Sequence, residues 1–397
     1  MPTDRIRGVE IETTLVHRLF GLVRVRIDAA AGAVSGNDEE LVVDGVPRDE
    51  GDRLRTAFLT HRGRPPAEPG VDGIVAPEPD EEFARFDNRW LLYAPLVGSY
   101  LALPAAALGA SFRLLDEFGR RLRPDLDELN LAGGWALAAA GVAALLLVLA
   151  VGAVVGAAVV NWRFALVRRG GSLIAVRGLL TRRHTELEID RIRGGTVSEG
   201  LGMRWVRAAR ISALVTGLGD ATRRGQLLPL GPRDEAWALA RRLVDDPGPL
   251  VPHPPAARRR AIVRAMATGL LVSAVGLAAT VAAGWWWVLA AGVALTALGV
   301  PLGLGRYASL GHAAGPSSFS VRSGWLVREQ VILQRRAVVG FRVRQSFFQR
   351  RAGLATVVAC VGAGTGGYAA IDLAAADVAP FTAAASEPWA ATFSASS

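Results

Sequence analysis

A chain of 397 residues has room for two or three domains, and with 51% hydrophobic residues and a mean hydropathy of +0.29 it is not a purely soluble protein. The net charge is +9 and every basic side chain is an arginine; beside long apolar runs, that balance favours cytoplasmic flanks and anionic head groups over nucleic acid. A single cysteine, Cys360, excludes an intramolecular disulfide and a cysteine zinc site.

The first polar region, residues 1–61, opens on "MPTDRIRGVE" and continues into "LVRVRID", whose period of two predicts a half-buried strand with Val25 and Ile27 inward. Residues 62–88 are rich in proline and acids and read as a linker. Residues 89–161 contain two uncharged runs, Leu91–Ser111 and Leu131–Val160, each near the ~20 residues a helix needs to cross ~30 Å of hydrocarbon. Trp90, Trp135 and Trp162 stand near their ends, as interfacial aromatics do. In the second run Gly152 and Gly156 form a G-x-x-x-G that permits close helix approach.

The second polar region, 162–246, alternates again in "TELEI", with Leu187 and Ile189 on one face. "RGGS" (Arg169–Ser172) supplies a hairpin turn, and "GPRDEAWALARRLV" reads as a helix with proline and acids in its first turn. Residues 247–261 form a second linker, rich in proline and arginine. Residues 262–306 read as a tight helical hairpin, Ala265–Ala283 and Trp285–Gly305, turning at Gly284. Arg258, Arg259, Arg260, Arg264 and Arg306 flank it and place both ends in the cytoplasm. A third polar region spans 307–385, and a tail, 386–397, has no periodicity.

The three polar regions are related. Gly178, Gly194 and Arg204 recur at the same spacing as Gly324, Gly340 and Arg350, and the first region supplies Gly8 and Arg18. Leu15, Leu201 and Phe347 fall into line, as do Val25, Ile211 and Val357. One departure is Arg207-Ala208, where the other two regions carry Gly21-Leu22 and Gly353-Leu354. The first region also lacks the lead-in that precedes this phrase elsewhere, so it reads as an incomplete module, by truncation or by a start placed too late.

On these residues, notably Asn161–Trp205, Phe319–Ala359 and Pro2–Gly32, the chain resembles bacterial PH-domain membrane proteins of the YdbT-like family. The resemblance implies an α+β membrane protein in which PH-like β-barrel modules, each with a C-terminal helix, alternate with two transmembrane helix pairs. It implies a multi-pass protein of the bacterial cytoplasmic membrane with its modules in the cytoplasm. It also implies a smaller PH-domain membrane protein as partner, and no defined ligand.

Chemistry is sparse. His17, His61, His184, His253 and His312 are scattered without ligand spacing, and "VGAGTGG" (Val361–Gly367) reads as a glycine-rich hairpin, not a dinucleotide loop. No catalytic, cofactor-binding or metal-ligating residue is expected, and no Asp, Glu, Lys, Arg or His lies in the core of an apolar run. The remaining candidates are arginines. Arg258, Arg259, Arg260 and Arg264 are expected to meet lipid head groups or a partner. Arg182, Arg183, Arg191 and Arg193 do the same or lie on a solvated strand exterior paired with Glu186 or Glu188. The expected function is non-enzymatic: modules that bind a membrane protein or inner-leaflet lipid, in envelope maintenance or stress defence. The competing reading is an accessory subunit of an export system.

Overall fold

The computed structural model describes residues 6–29, 40–51, 53, 81–119, 131–216 and 225–386. The chain forms two units: Met1–Ile189 with Gly202–Arg210 and Leu227–Glu235, and Asp190–Leu201 with Ile211–Gln226 and Ala236–Ser397.

In the first unit, strand β1 (Ile6–Thr13) leads through the five-residue helix α1 (Leu15–Leu19) to β2 (Leu22–Ala29) and β3 (Glu40–Pro47). Thr14 caps α1 by accepting from the backbone N–H of His17. The chain then runs through β4 (Glu81–Arg85), a 3-10 stretch (Asn88–Leu96), α2 (Gly98–Gly119) and α3 (Leu131–Asn161). It returns as β5 (Ala165–Arg169), β6 (Ser172–Arg177) and β7 (Arg182–Glu188). These strands make one antiparallel sheet in the order β3-β2-β1-β7-β6-β5-β4. The period of two works as expected: Val23, Val25, Leu166, Leu173 and Leu187 are buried. The β5–β6 turn is Gly170-Gly171, with Gly170 at φ 55°, a conformation glycine adopts without strain.

Four elements are divided between the units: α4 (Leu201–Trp205), β9 (Ala208–Val215), β10 (Gln226–Pro232) and α5 (Arg233–Leu243). The second unit contains β8 (Ile192–Gly200) and the helices α6 (Pro255–Ala283) and α7 (Trp286–Ala308). It continues with β11 (Gly311–Ala314), β12 (Ser318–Ser323), β13 (Val327–Gln334), β14 (Val338–Arg344), helix α8 (Phe347–Arg351), β15 (Leu354–Val361), β16 (Gly367–Ala374) and α9 (Val378–Ala385). Strand β13 lies between β12 and β8, while β14, β15 and β16 form a separate antiparallel sheet. Phe319, Leu333, Val357, Leu373 and Phe381 pack at the centre of this unit's core.

The aligned sequence positions take the same structural roles. Ile6, Ile192 and Val338 each open a strand; Leu15, Leu201 and Phe347 each open a five-residue helix; Leu22, Ala208 and Leu354 each open the next strand. Arg207 adopts φ 53°, beside 67° for Gly21 and 63° for Gly353, so the departure in residue type is not one in conformation.

Several expectations are corrected. No closed barrel is found among the described residues, because β3 and β4 end one sheet and β14 and β16 another without meeting. The expected first span, Leu91–Ser111, is broken: the 3-10 stretch and α2 meet at a bend of 69°. Pro95 removes a backbone donor there, and Val97 is extended at φ −106° and ψ 106°. Among the described residues three helices are therefore long and apolar enough to cross a membrane, ending at Asn161, Ala283 and Ala308, with the bent pair as a fourth only if counted as one span. Within the segment expected to be linker at 247–261, α6 begins at Pro255 and Val251 bridges to His312 on β11.

Candidate functional site

Helix α6 starts with proline in its first turn, which suits a position whose N–H has no intrahelical partner. Its first turns then carry Arg258, Arg259, Arg260 and Arg264. Four cations at the positive end of a helix dipole are unfavourable unless anions meet them. One anion is internal. The Arg260 guanidinium donates to both carboxylate oxygens of Asp372 on β16, at 2.5 and 2.6 Å.

Asp372 is only 4% exposed and holds φ 59°, rare for a side-chain-bearing residue, so the surrounding contacts must enforce it. One of those contacts is Gln349 on α8, whose amide donates to Asp372 at 2.7 Å and to Thr356 at 2.8 Å. Gln349 also closes a capping box with Ser346. Arg260, Asp372 and Gln349 thus tie the foot of α6, the strand β16 and the short helix α8 together.

A groove of about 680 Å³ opens beside this network. Arg259, Arg264 and Arg351 line it together with Val263, Ala267 and Phe348, and no acidic residue does. Phe347 and Phe348 are 63% and 74% exposed, a large apolar surface for a polar module. A second groove on the same helical hairpin brings Arg264 and Arg306 to Trp325, Leu302 and Leu326, with Asp372 also on its wall. Both are amphiphilic: guanidinium groups beside aliphatic and aromatic surface.

The other arginines expected as contacts line neither groove. Arg183 pairs with the buried carboxylate of Glu12 on β1 at 3.1 Å. Arg182 is exposed opposite Thr13, Arg191 ends a 3-10 turn, and Arg193 lies half-buried in β8. Arg258 is exposed. Sequence reasoning did not single out Arg351, Asp372, Gln349, Phe348 or Trp325. The run "SFFQRR" held a usable signal, two aromatics and two arginines behind a capping-box serine.

The histidines were expected to be scattered, yet two of them meet. His312 Nδ1 lies 3.2 Å from His253 Nε2 in a buried pair, with Phe381 edge-on to the His312 ring. Burial, then the neighbouring His253, pushes the His312 imidazole down to about 4; burial lowers His253 as well.

The sequence pattern of a family described as Bacterial PH domain matches residues 1–60, 112–246 and 267–385. No curated protein and no solved structure matches.

Proposed function

The chain belongs to the bacterial PH domain family, and on that premise we propose a non-enzymatic membrane protein whose hairpin-base grooves take anionic phospholipid of the cytoplasmic leaflet. The observation that carries this reading is the acid-free lining of the first groove. Its three outward arginines suit a phosphate, and Val263, Ala267 and Phe348 suit the adjoining acyl chain. Because α6 is apolar enough to cross a membrane, a groove at its basic end would lie at head-group depth.

In the same proposal the three matched segments are copies of one YdbT-like module, repeated through a four-pass protein with every module in the cytoplasm. Envelope maintenance is the role this fits.

Full-length protein purified in mild detergent and analysed by native mass spectrometry tests the lipid reading. Wild type is expected to retain phosphatidylglycerol in preference to phosphatidylcholine. At roughly 1 kcal/mol per arginine, replacing Arg259, Arg264 and Arg351 together by alanine weakens that retention about a hundredfold. Arg351→Ala alone, outside the apolar helices, weakens it about fivefold without disturbing insertion. Equal retention of both lipids by wild type and variants would overturn the reading.

A further inference from the structure

Two strands of one kind are covered, and among the described residues a third is not. Strand β1, which precedes α1, has β7 on its outer edge; β8, which precedes α4, has β13 on its outer edge. Both junctions are antiparallel, and both place an arginine of the covering strand against a buried acid. Arg183 meets Glu12 at 3.1 Å and Arg328 meets Glu199 at 3.8 Å. Strand β14 precedes α8 in the same way, but among the described residues it ends its sheet and pairs only with β15.

The charge on this open edge is reversed. Counted from the shared glycine, Gly8 in β1 and Gly340 in β14, the positions of Glu10 and Glu12 are those of Arg342 and Arg344. Both arginines are exposed. Charges alone blunt a sheet edge against aggregation, but this one also exposes Val339 at 75% and Val343 at 51%. An edge shaped only to repel would not leave that apolar surface in alternation with the arginines.

We propose that the open edge of β14 takes an antiparallel strand from a different polypeptide, with acidic residues opposite Arg342 and Arg344 and apolar residues between them. Main-chain hydrogen bonds supply the affinity of such strand addition, and the side chains facing the strand select it. A second copy of this chain is a poor occupant, since two β14 strands would oppose arginine to arginine. The basic strand β7 is excluded by the same repulsion at Arg183.

The proposal is independent of the lipid reading and is tested in neutral phosphatidylcholine nanodiscs holding the full-length chain. The probe is a fluorescent peptide of residues 182–188 with Arg183→Glu, His184→Val and Thr185→Glu, whose acids the β7 register sets opposite Arg344 and Arg342. Fluorescence anisotropy is expected to show saturable binding, about tenfold tighter than that of the 182–188 peptide carrying His184→Val alone. The double variant R342E/R344E should reverse the preference, a result that misfolding does not produce. Equal binding of both peptides, or a preference unchanged in R342E/R344E, overturns the proposal. So does an R342E/R344E variant that loses only its binding to phosphatidylglycerol vesicles, which would assign the arginines to the membrane.

Discussion

His253 and His312 stand 59 residues apart in the chain, and no spacing rule joins them. What joins them is the pairing of Val251 with His312, a backbone bridge that pins the proline-rich segment onto β11 and carries His253 inward. Tyr307 secures it further by donating to the His253 carbonyl at 2.8 Å. A non-local contact of this kind leaves no periodic trace, whereas the aligned glycines and leucines did, and their strands and helices start at matching positions. The pair has a pH consequence. Asp372, Asp377 and Arg322 also act on it, but burial is the largest influence on each ring and favours the neutral form. The unfolded chain, with imidazole near 6.5, then binds more protons than the folded one between that value and about 4. Stability from the pair is therefore present above pH ~6.5 and lost as pH falls towards ~4. Thermal unfolding in detergent across that window should show a falling midpoint for wild type. A His253→Gln, His312→Gln variant should show a shallower fall; equal slopes would remove the histidines from the account.

Helices were read from apolar length, and α3, α6 and α7 answer to it, but what packs them was only partly visible. The G-x-x-x-G of α3 is half used: a Cβ on Gly152 would strike Pro104 of α2 at 2.6 Å, while one on Gly156 meets nothing within 4 Å. The closest packing lies instead between α6 and α7, where Gly269 and Gly276 face one helix and Gly292 and Gly299 the other. A seven-residue interval returns to the same helix face as surely as four does; a search for intervals of four finds Gly299 and Gly303, also packed on α6, but passes over the sevens. A Cβ on Gly292 would lie 2.6 Å from the Ser273 Cα, and one on Gly276 would lie 2.5 Å from the Leu289 N. No flexible side-chain tip is available to yield there. Gly292→Leu is expected to cost about 1–3 kcal/mol or to force the helices apart, seen as a lower unfolding midpoint and faster proteolysis near Gly284. Gly156→Leu should leave both unchanged. If Gly292→Leu behaves like Gly156→Leu, close approach is not what holds the hairpin.

For the molecule as a whole, strand pairing bears on membrane topology more directly than arginine counting does. The stretch 112–130, from the end of α2 to the start of α3, carries four arginines among five acids, which leaves the positive-inside rule nearly silent for that pair. Strand β4 precedes the bent 3-10/α2 pair and β5 follows α3, yet Glu82 and Arg85 pair in register with Val167 and Ala165. A hydrogen-bonded ladder cannot be shared across a bilayer, since unpaired backbone at its core costs several kcal/mol per group. The proposed four-pass arrangement meets this requirement with an even number of crossings between β4 and β5: if α3 crosses, the bent pair crosses with it. The same reasoning applies to α6 and α7, which β8 precedes and β13 follows within one sheet. The proposed four-pass arrangement then makes a definite expectation for reporter fusions. Reporters at Gly45, Asp245 and Ser386 should all register the cytoplasm, while insertions within residues 120–130 or at Gly284 should register the opposite side. A reporter at Gly45 opposed to one at Asp245 would mean three crossings. The pairing of β4 with β5 and of β1 with β7 could not then exist in the membrane-embedded protein.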